Sequence, residues 1–423
     1  MFHYIPTGRL AAGAALLALA AVAHGADRLS LDEAQRLAVQ RSYQIPAYDA
    51  AITASTEMGA AAARLPDPVL KVGIDNLPLS GPDRASLGAD AMTMRRVGVM
   101  QELTRADKRA LRSTRYAQEA ARTQAEKDKA IAAVERNTAL AWLDRHYADA
   151  TVTILAEQRT LAVQEREAAD AAYRGGRGSQ SDVLAAQSAV LQLDDRVLEA
   201  QGRARAAGAG LARWLGDAAA RPLADPPAMD AIRFDATTLE TQLAHHPDIA
   251  VLARQVDIAE TQAGLAEADR RPDWSVEVTY QQRGAAYPNM VSVGLSVPLQ
   301  WDRNNRQDRE LAARLAMASQ ARGEQDEALR AHAAEIRAQI AAWQTGRARQ
   351  ARYSADLVPL AQARSAALLA AYRGGKASLA DVLAARRNVL DTRVAALQLE
   401  ADTARIWAQL NFLFPMAQAG GHP

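Results

Sequence analysis

The stretch AAYRGGRGSQSDVLAAQSAVLQLDDRVL, residues 171–198, returns as AAYRGGKASLADVLAARRNVLDTRVAAL at residues 370–397. Tyr173 thus matches Tyr372, Ser179 matches Ser378 and Asp182 matches Asp381, each 199 positions later. The chain reads as a tandem duplication. Each copy reads as a helix, a sharp reversal and a second helix. The first helix stops at a glycine pair, Gly175-Gly176 or Gly374-Gly375, where one residue must turn left-handed, a conformation glycine reaches without steric cost. Ser179-x-x-Asp182 and Ser378-x-x-Asp381 then predict capping boxes, in which hydroxyl and carboxylate satisfy each other's free backbone N–H groups. Behind them Val183, Val190 and Val197 with Leu184, Leu191 and Leu198, and Val382 and Val389 with Leu383, Leu390 and Leu397, recur every seven residues, the spacing of a coiled-coil seam.

Before each reversal lies a run almost free of glycine and proline, from about Asp107 to Tyr173 and from about Asn305 to Tyr372, with Trp142 and Trp343 at matching places. At ~1.5 Å per residue, about 65 helical residues span roughly 100 Å, too long for one helix of a compact domain. A returning helix follows, ending near Trp214 and Gly216 in the first copy and over Phe412 to Pro415 in the second. Upstream, Ser30-Leu31-Asp32-Glu33 predicts a further capping box and a helix that runs to Pro66; its counterpart starts at Thr237-Thr238-Leu239-Glu240 and stops before Pro272.

Between these helices the period changes to two. Trp274, Val276, Val278 and Tyr280 alternate with Ser275, Glu277, Thr279 and Gln281, and Val291, Val293, Leu295, Val297 and Leu299 with Ser292, Gly294 and Ser296. In the first half Leu70, Val72 and Ile74 alternate with Lys71, Gly73 and Asp75, while Val97, Val99 and Leu103 face away from Arg96, Gly98 and Glu102. Strands with one apolar and one polar face are expected at about 68–76, 92–104, 273–282 and 290–300. Polar loops join each pair, Asn76 to Ala91 and Gly284 to Asn289.

The first 26 residues read as a secretory signal: Arg9, an apolar run from Leu10 to Val22, and Ala21-Val22-Ala23 or Ala23-His24-Gly25 as the cleavage site. An uncleaved anchor is the alternative. The predicted organisation is a signal peptide over 1–26, a first repeat over 27–216, a linker over 217–235 with Pro222, Pro226 and Pro227, a second repeat over 236–415 and a tail over 416–423. With no cysteine, the exported chain forms no disulfide and carries no lipidated N-terminal cysteine. Of 423 residues, 49% are hydrophobic and only 5% aromatic, which suits close-packed helices; the formal charge of +1 with interspersed signs leaves no basic surface for nucleic acid. No Ser/His/Asp set, phosphate loop or CxxC motif points to an enzyme, and no cofactor is expected. His245-His246 reads as the surface start of a helix, with a metal site as the alternative.

Four strands with a lipid-compatible face cannot remain an open sheet in hydrocarbon, because the edge backbone groups would go unpaired. Barrels need at least about eight strands, so one chain cannot close one. Eight strands would be nearly filled by side chains, whereas three chains would give twelve and a polar lumen. The predicted fold is therefore mainly α with a small β part: long duplicated coiled-coil helices, plus four strands contributing to a trimeric twelve-stranded transmembrane barrel. A tube that crosses one membrane and projects helices inward is an exit duct.

This order of elements, with Y-x-x-G-x-x-S-x-x-D-V-L at Tyr173 to Leu184 and at Tyr372 to Leu383, resembles the TolC family of outer-membrane efflux proteins over nearly the whole mature chain. The resemblance implies a homotrimer in the outer membrane of a Gram-negative bacterium, an α-helical periplasmic barrel, and a tripartite pump with a periplasmic adaptor (membrane fusion) protein and an inner-membrane resistance-nodulation-division type transporter. DPVLKVGIDNLPL followed by MTMRRVGVMQELTRADKR resembles the heavy-metal cation branch, which implies cation cargo. Met92, Met94, Met100 and Met290 are candidate soft-ion contacts there. Two departures stand out: the lipidated cysteine found in many relatives is missing, and Ala185 and Ala384 occupy the places of a second tip aspartate.

At the tips, Asp182 and Asp381 are candidate gating carboxylates, gathered by threefold symmetry, with Arg174, Arg177, Arg373 and Lys376 as partners. Helix capping and helix C-terminal charge account for the same residues without a gate. Tyr173, Gly175, Gly176, Ser179, Tyr372, Gly374, Gly375 and Ser378 are the expected adaptor-docking residues. A drug or protein exit duct of the same fold is the nearest alternative. A periplasmic scaffold or adaptor without a pore is the rival of another class, but the lipoyl-like β-domain of adaptors is not read between the hairpin arms.

Overall fold

The computed structural model describes residues 28–233 and 242–416. The expected signal peptide, the Thr237–Glu240 cap and nearly all of the tail lie outside the described residues. In chain order the elements are α1 (Leu31–Arg41), α2 (Gln44–Ala62), β1 (Val69–Asp75), β2 (Met94–Leu103), α3 (Ala106–Arg174), α4 (Gln180–Leu215), α5 (Pro247–Ala268), β3 (Trp274–Gln282), β4 (Met290–Ser296), α6 (Gln307–Arg352), α7 (Val358–Arg373) and α8 (Leu379–Asn411).

The helix expected from Ser30 to Pro66 is broken at Ser42 and Tyr43. Proline 46 supplies the reason: its ring would clash with the carbonyl four residues back, at Ser42, and it has no N–H to bond there. The same rule acts at Pro359. Its i−4 residue, Ala355, lies in a π-helical turn over Tyr353–Leu357 that divides the second rod into α6 and α7. Only α3, at 69 residues, runs unbroken, about 100 Å at ~1.5 Å per residue.

Ser30 caps α1 by accepting from the Glu33 N–H at 3.2 Å, but the capping box is only half made. The Glu33 carboxylate turns instead to Arg221, at 2.7 and 3.3 Å, and the guanidinium holds its pKa below the usual range. Residues 217–233 are accordingly no free tether. Leu29 pairs with Leu223, Leu223, Met229 and Ile232 pack on the main core, and Trp407 Nε1 donates to the Ala231 carbonyl at 2.8 Å. That core sits midway along the rods, around Trp142, Leu143, Leu211, Ile336, Trp343, Leu410 and Phe412.

His246 also departs from expectation. It is the N-cap of α5 but lies 2% exposed against Phe414 and His332, and only His245 is on the surface. Burial, then the neighbouring His332, pushes the His246 imidazole down to about 4.

The four strands form one antiparallel sheet in the order β1-β2-β3-β4, so the two halves meet at β2 and β3. β4 stops at Ser296, short of the expected 300, because Pro298 cannot donate to a ladder. All helices leave from one end of the sheet, and the loops 76–93 and 283–289 lie at the other. At the helical end Lys108, with its side chain only 4% exposed, bridges Asp269 at 3.1 Å and Asp273 at 3.0 Å, pinning the start of α3 to the approach to β3.

Candidate functional site: a two-faced sheet and paired helical tips

The register places the apolar residues of all four strands in common rows. Leu70, Val99, Val278 and Val293 form one row; Val72, Val97, Tyr280 and Val291 form the next. Side chains along a strand alternate faces, so these rows share one side of the sheet. That side is bare: Val293 is 74% exposed and Leu70 67%. The opposite face carries Lys71, Gly98, Thr279 and Ser292 in a single row, flanked by rows that include Arg96, Gln281, Glu277 and Gly294. Four of its charges pair, Lys71 with Glu277 at 2.6 Å and Arg96 with Asp75 at 3.5 Å. Gly98 is required there, since a Cβ would stand 2.5 Å from Thr279 Oγ1 and 2.9 Å from the Val278 carbonyl oxygen.

Met94 and Met100 lie on the polar face of β2, six residues or about 20 Å apart. Met290 occupies another row, opposite Gln281, and Met92 is exposed in the loop. Within the chain these methionines are not brought together. β1 and β4 are both edge strands. Among the described residues no helix is long and apolar enough to cross a membrane.

The two tips are near copies. At the first, Gly176 takes φ +70°, the Arg177 N–H reaches the Ala172 carbonyl at 2.9 Å, and the Gly175 N–H reaches Ala171 at 3.0 Å. At the second, Gly375 takes φ +70° and the Lys376 N–H reaches Ala371 at 2.8 Å. Both capping boxes form. The Asp182 N–H donates to Ser179 Oγ at 3.2 Å while the Ser179 N–H donates to Asp182 Oδ2 at 3.0 Å; Asp381 and Ser378 repeat this at 3.2 and 3.1 Å. The hydroxyl and backbone donors hold both aspartates below the usual carboxylate range, so both are ionised at neutral pH.

The bases do not pair with these acids inside one chain. Arg174 turns back to Asp170, and among the described residues Arg177, Arg373 and Lys376 form no ion pair. The tips instead touch through Ala169, Ala186, Leu379, Val183 and Tyr372. Higher up, Arg386 of α8 binds Glu165 of α3 at 3.0 Å, a contact that no local spacing predicts. In α4 the heptad columns separate: Val190 enters the seam with Leu155 and Leu193, whereas Leu184, Leu191 and Leu198 stay outside, Leu191 at 61% exposure. In α8 both columns are covered, with Val382, Val389 and Leu390 all buried.

The chain thus combines a sheet apolar on one face and charged on the other, two open sheet edges and paired helical hairpins. Residues 238–414, most of the second repeat, match the family model described as outer membrane efflux protein. Solved structures agree over nearly the whole chain. The outer membrane protein VceC of Vibrio cholerae is 18% identical, with 90% of this chain and 95% of that one covered at a TM-score of 0.75. The CmeC outer membrane channel of Campylobacter jejuni is 14% identical, with 91% and 85% covered at 0.75. CusC, whose structures concern folding and transmembrane channel formation, is 15% identical, with 93% and 92% covered at 0.74. No curated protein sequence matches the chain.

Proposed function

We propose that the chain is the outer-membrane channel of a tripartite efflux pump. Three copies close a twelve-stranded barrel by pairing β1 of one with β4 of the next, and the helices continue it into the periplasm as a passive exit duct. The observation that carries this reading is the register of the sheet. It aligns the two wholly apolar four-strand rows on one exposed face and both ion pairs of the sheet on the other, as a barrel with lipid outside and water inside requires. The exposed leucine column of α4 would then lie against the neighbouring copy. The tips would meet an adaptor protein, and through it an inner-membrane resistance-nodulation-division type transporter, with Asp182 and Asp381 gathered where the tube is narrowest. The test is the mass of the detergent-purified mature protein by light scattering, together with conductance in a planar bilayer. Three chains and a stable open channel are expected; a water-soluble monomer without conductance would overturn the reading.

Heavy-metal cations are the cargo this reading favours, on the likeness of the β1 and β2 segments to that branch. The likeness to CusC supports the fold rather than the cargo, since the identity to VceC is no lower. A deletion strain should lose tolerance to divalent metals; loss of drug tolerance or of a secreted protein instead would assign the duct to the alternative cargo.

A further inference from the structure

We propose that His246 and His332 bind a divalent transition cation of the zinc class, with Asp248 and Glu335 as the carboxylates that orient the two imidazoles. The site lies on the helical part of the chain, away from the sheet and the tips, and does not depend on the channel reading. His246 caps α5 and His332 lies on α6, so the cation would tie the start of one helix to the middle of the other.

The first observation is a distance. The two Nε2 atoms stand 3.3 Å apart. A tetrahedral zinc with Zn–N bonds of ~2.0–2.1 Å holds two nitrogens about 3.3–3.4 Å apart. The same spacing suits one proton shared between the rings, and the cation would replace that proton, because ligating nitrogens must be unprotonated.

The second observation is what lies behind each ring. His246 Nδ1 is 3.6 Å from Asp248 Oδ2, and His332 Nδ1 is 3.8 Å from Glu335 Oε2. A ligating imidazole typically donates its other N–H to a carboxylate, which fixes tautomer and orientation. Here both rings have that acceptor within a small rotation. Lys129 Nζ holds the other Asp248 oxygen, Oδ1, at 2.5 Å, which keeps Oδ2 directed at His246. The His246 rotation gives up one contact, the Asp248 N–H that Nδ1 now accepts at 3.2 Å.

Access and charge fit as well. One nitrogen from each ring and one oxygen of Asp248 lie within 4.8 Å of one another. A groove lined by Arg136, Asn137, Glu335, Gln339 and Gln409 opens beside His332 and admits the cation with its remaining water ligands. Asp248 and Glu335 bring two negative charges to the pocket, against Lys129 on Asp248 and Arg136 near His246. Imidazole ligands select zinc, copper or nickel over magnesium or calcium.

The test titrates zinc chloride alone into the full-length mature protein in detergent, by calorimetry and by thermal melting. The wild type should bind one zinc per chain and melt higher with it. His246→Gln and His332→Gln should lose both effects, Asp248→Asn and Glu335→Gln should bind about 10–100-fold more weakly, and His245→Gln, on the exposed neighbour, should match wild type. His332 is only half buried, so its variant carries the test if His246→Gln fails to fold; its metal-free melt is compared with wild type. No saturable zinc binding by the wild type, or unchanged binding by His332→Gln, overturns the proposal.

Discussion

Replacing Val293 by arginine separates a membrane barrel from a water-soluble helical scaffold by magnitude alone. Val293 lies in the row Leu70, Val99, Val278, Val293, midway between the ends of the sheet, and is 74% exposed in the single chain. At an exposed position in water such a substitution is worth within about 0.5 kcal/mol either way. On the lipid face of a barrel, an arginine at the bilayer midplane destabilises by ~2–4 kcal/mol. Three copies carry the change together, so the assembled barrel would lose about 6–12 kcal/mol, comparable with the whole stability of a folded domain. Ser292→Arg is the control, one residue away on the polar face beside Thr279, where a charge meets water. The readout is the amount of heat-sensitive oligomer in outer-membrane fractions on unheated gels. Val293→Arg should abolish the oligomer, and Ser292→Arg should retain it with altered conductance. Equal oligomer from the two variants would refute the assignment of that face to lipid.

Three further outcomes are expected. Asp182→Ala combined with Asp381→Ala should reduce divalent-cation block and change single-channel conductance in a planar bilayer; if both stay unchanged, the two carboxylates do no more than cap α4 and α8. Burial raises the Glu165 carboxyl above its ordinary 4.5 although Arg386 opposes this, so the folded chain holds this proton more tightly than the unfolded one, and that contribution, full below pH 4.5, is lost as pH rises through the raised value. Glu165→Gln should therefore gain on wild type in melting temperature as pH climbs from 4.5, and a pH-independent difference would sink the assignment. Lys108→Ala leaves the largely buried Asp273 without its cation, keeping only the Arg105 N–H, and Asp269 half exposed, so a loss of ~3 kcal/mol, the lower end for breaking a buried pair, is expected in denaturant unfolding. A loss within about 0.5 kcal/mol would place the lysine among ordinary surface residues.

What could be read in the chain was short-ranged. Period-two alternation announced the strands and their faces, and glycine pairs followed by Ser-x-x-Asp announced the tips, because each rule acts within four residues. The breaks at Pro46 and Pro359 obey an equally local rule, the clash with the carbonyl four residues back, and were hidden only by the even composition around them. Other features needed contacts that sequence spacing cannot supply. His246 and His332 are 86 positions apart, and Arg386 meets Glu165 across 221. The proline-bearing segment after Gly216 looked like a tether because its polar residues outnumber Leu223, Met229 and Ile232, the three that dock.

The heptads after each tip mark the limit most sharply, since a seven-residue repeat states that a column has a partner without naming the chain that provides it. Val190 finds its partner inside the subunit, while Leu184, Leu191 and Leu198 do not. The edges of β1 and β4 have the same deficiency. Only Thr104 and Arg105 separate β2 from α3, and Lys108 ties the start of α3 to Asp269 and Asp273 before β3. We infer that the operation joining β4 of one copy to β1 of the next also brings a neighbouring rod against the leucine column, so that one interface would satisfy both; Leu191→Arg should then weaken the oligomer on unheated gels, and an unchanged oligomer would separate the two surfaces.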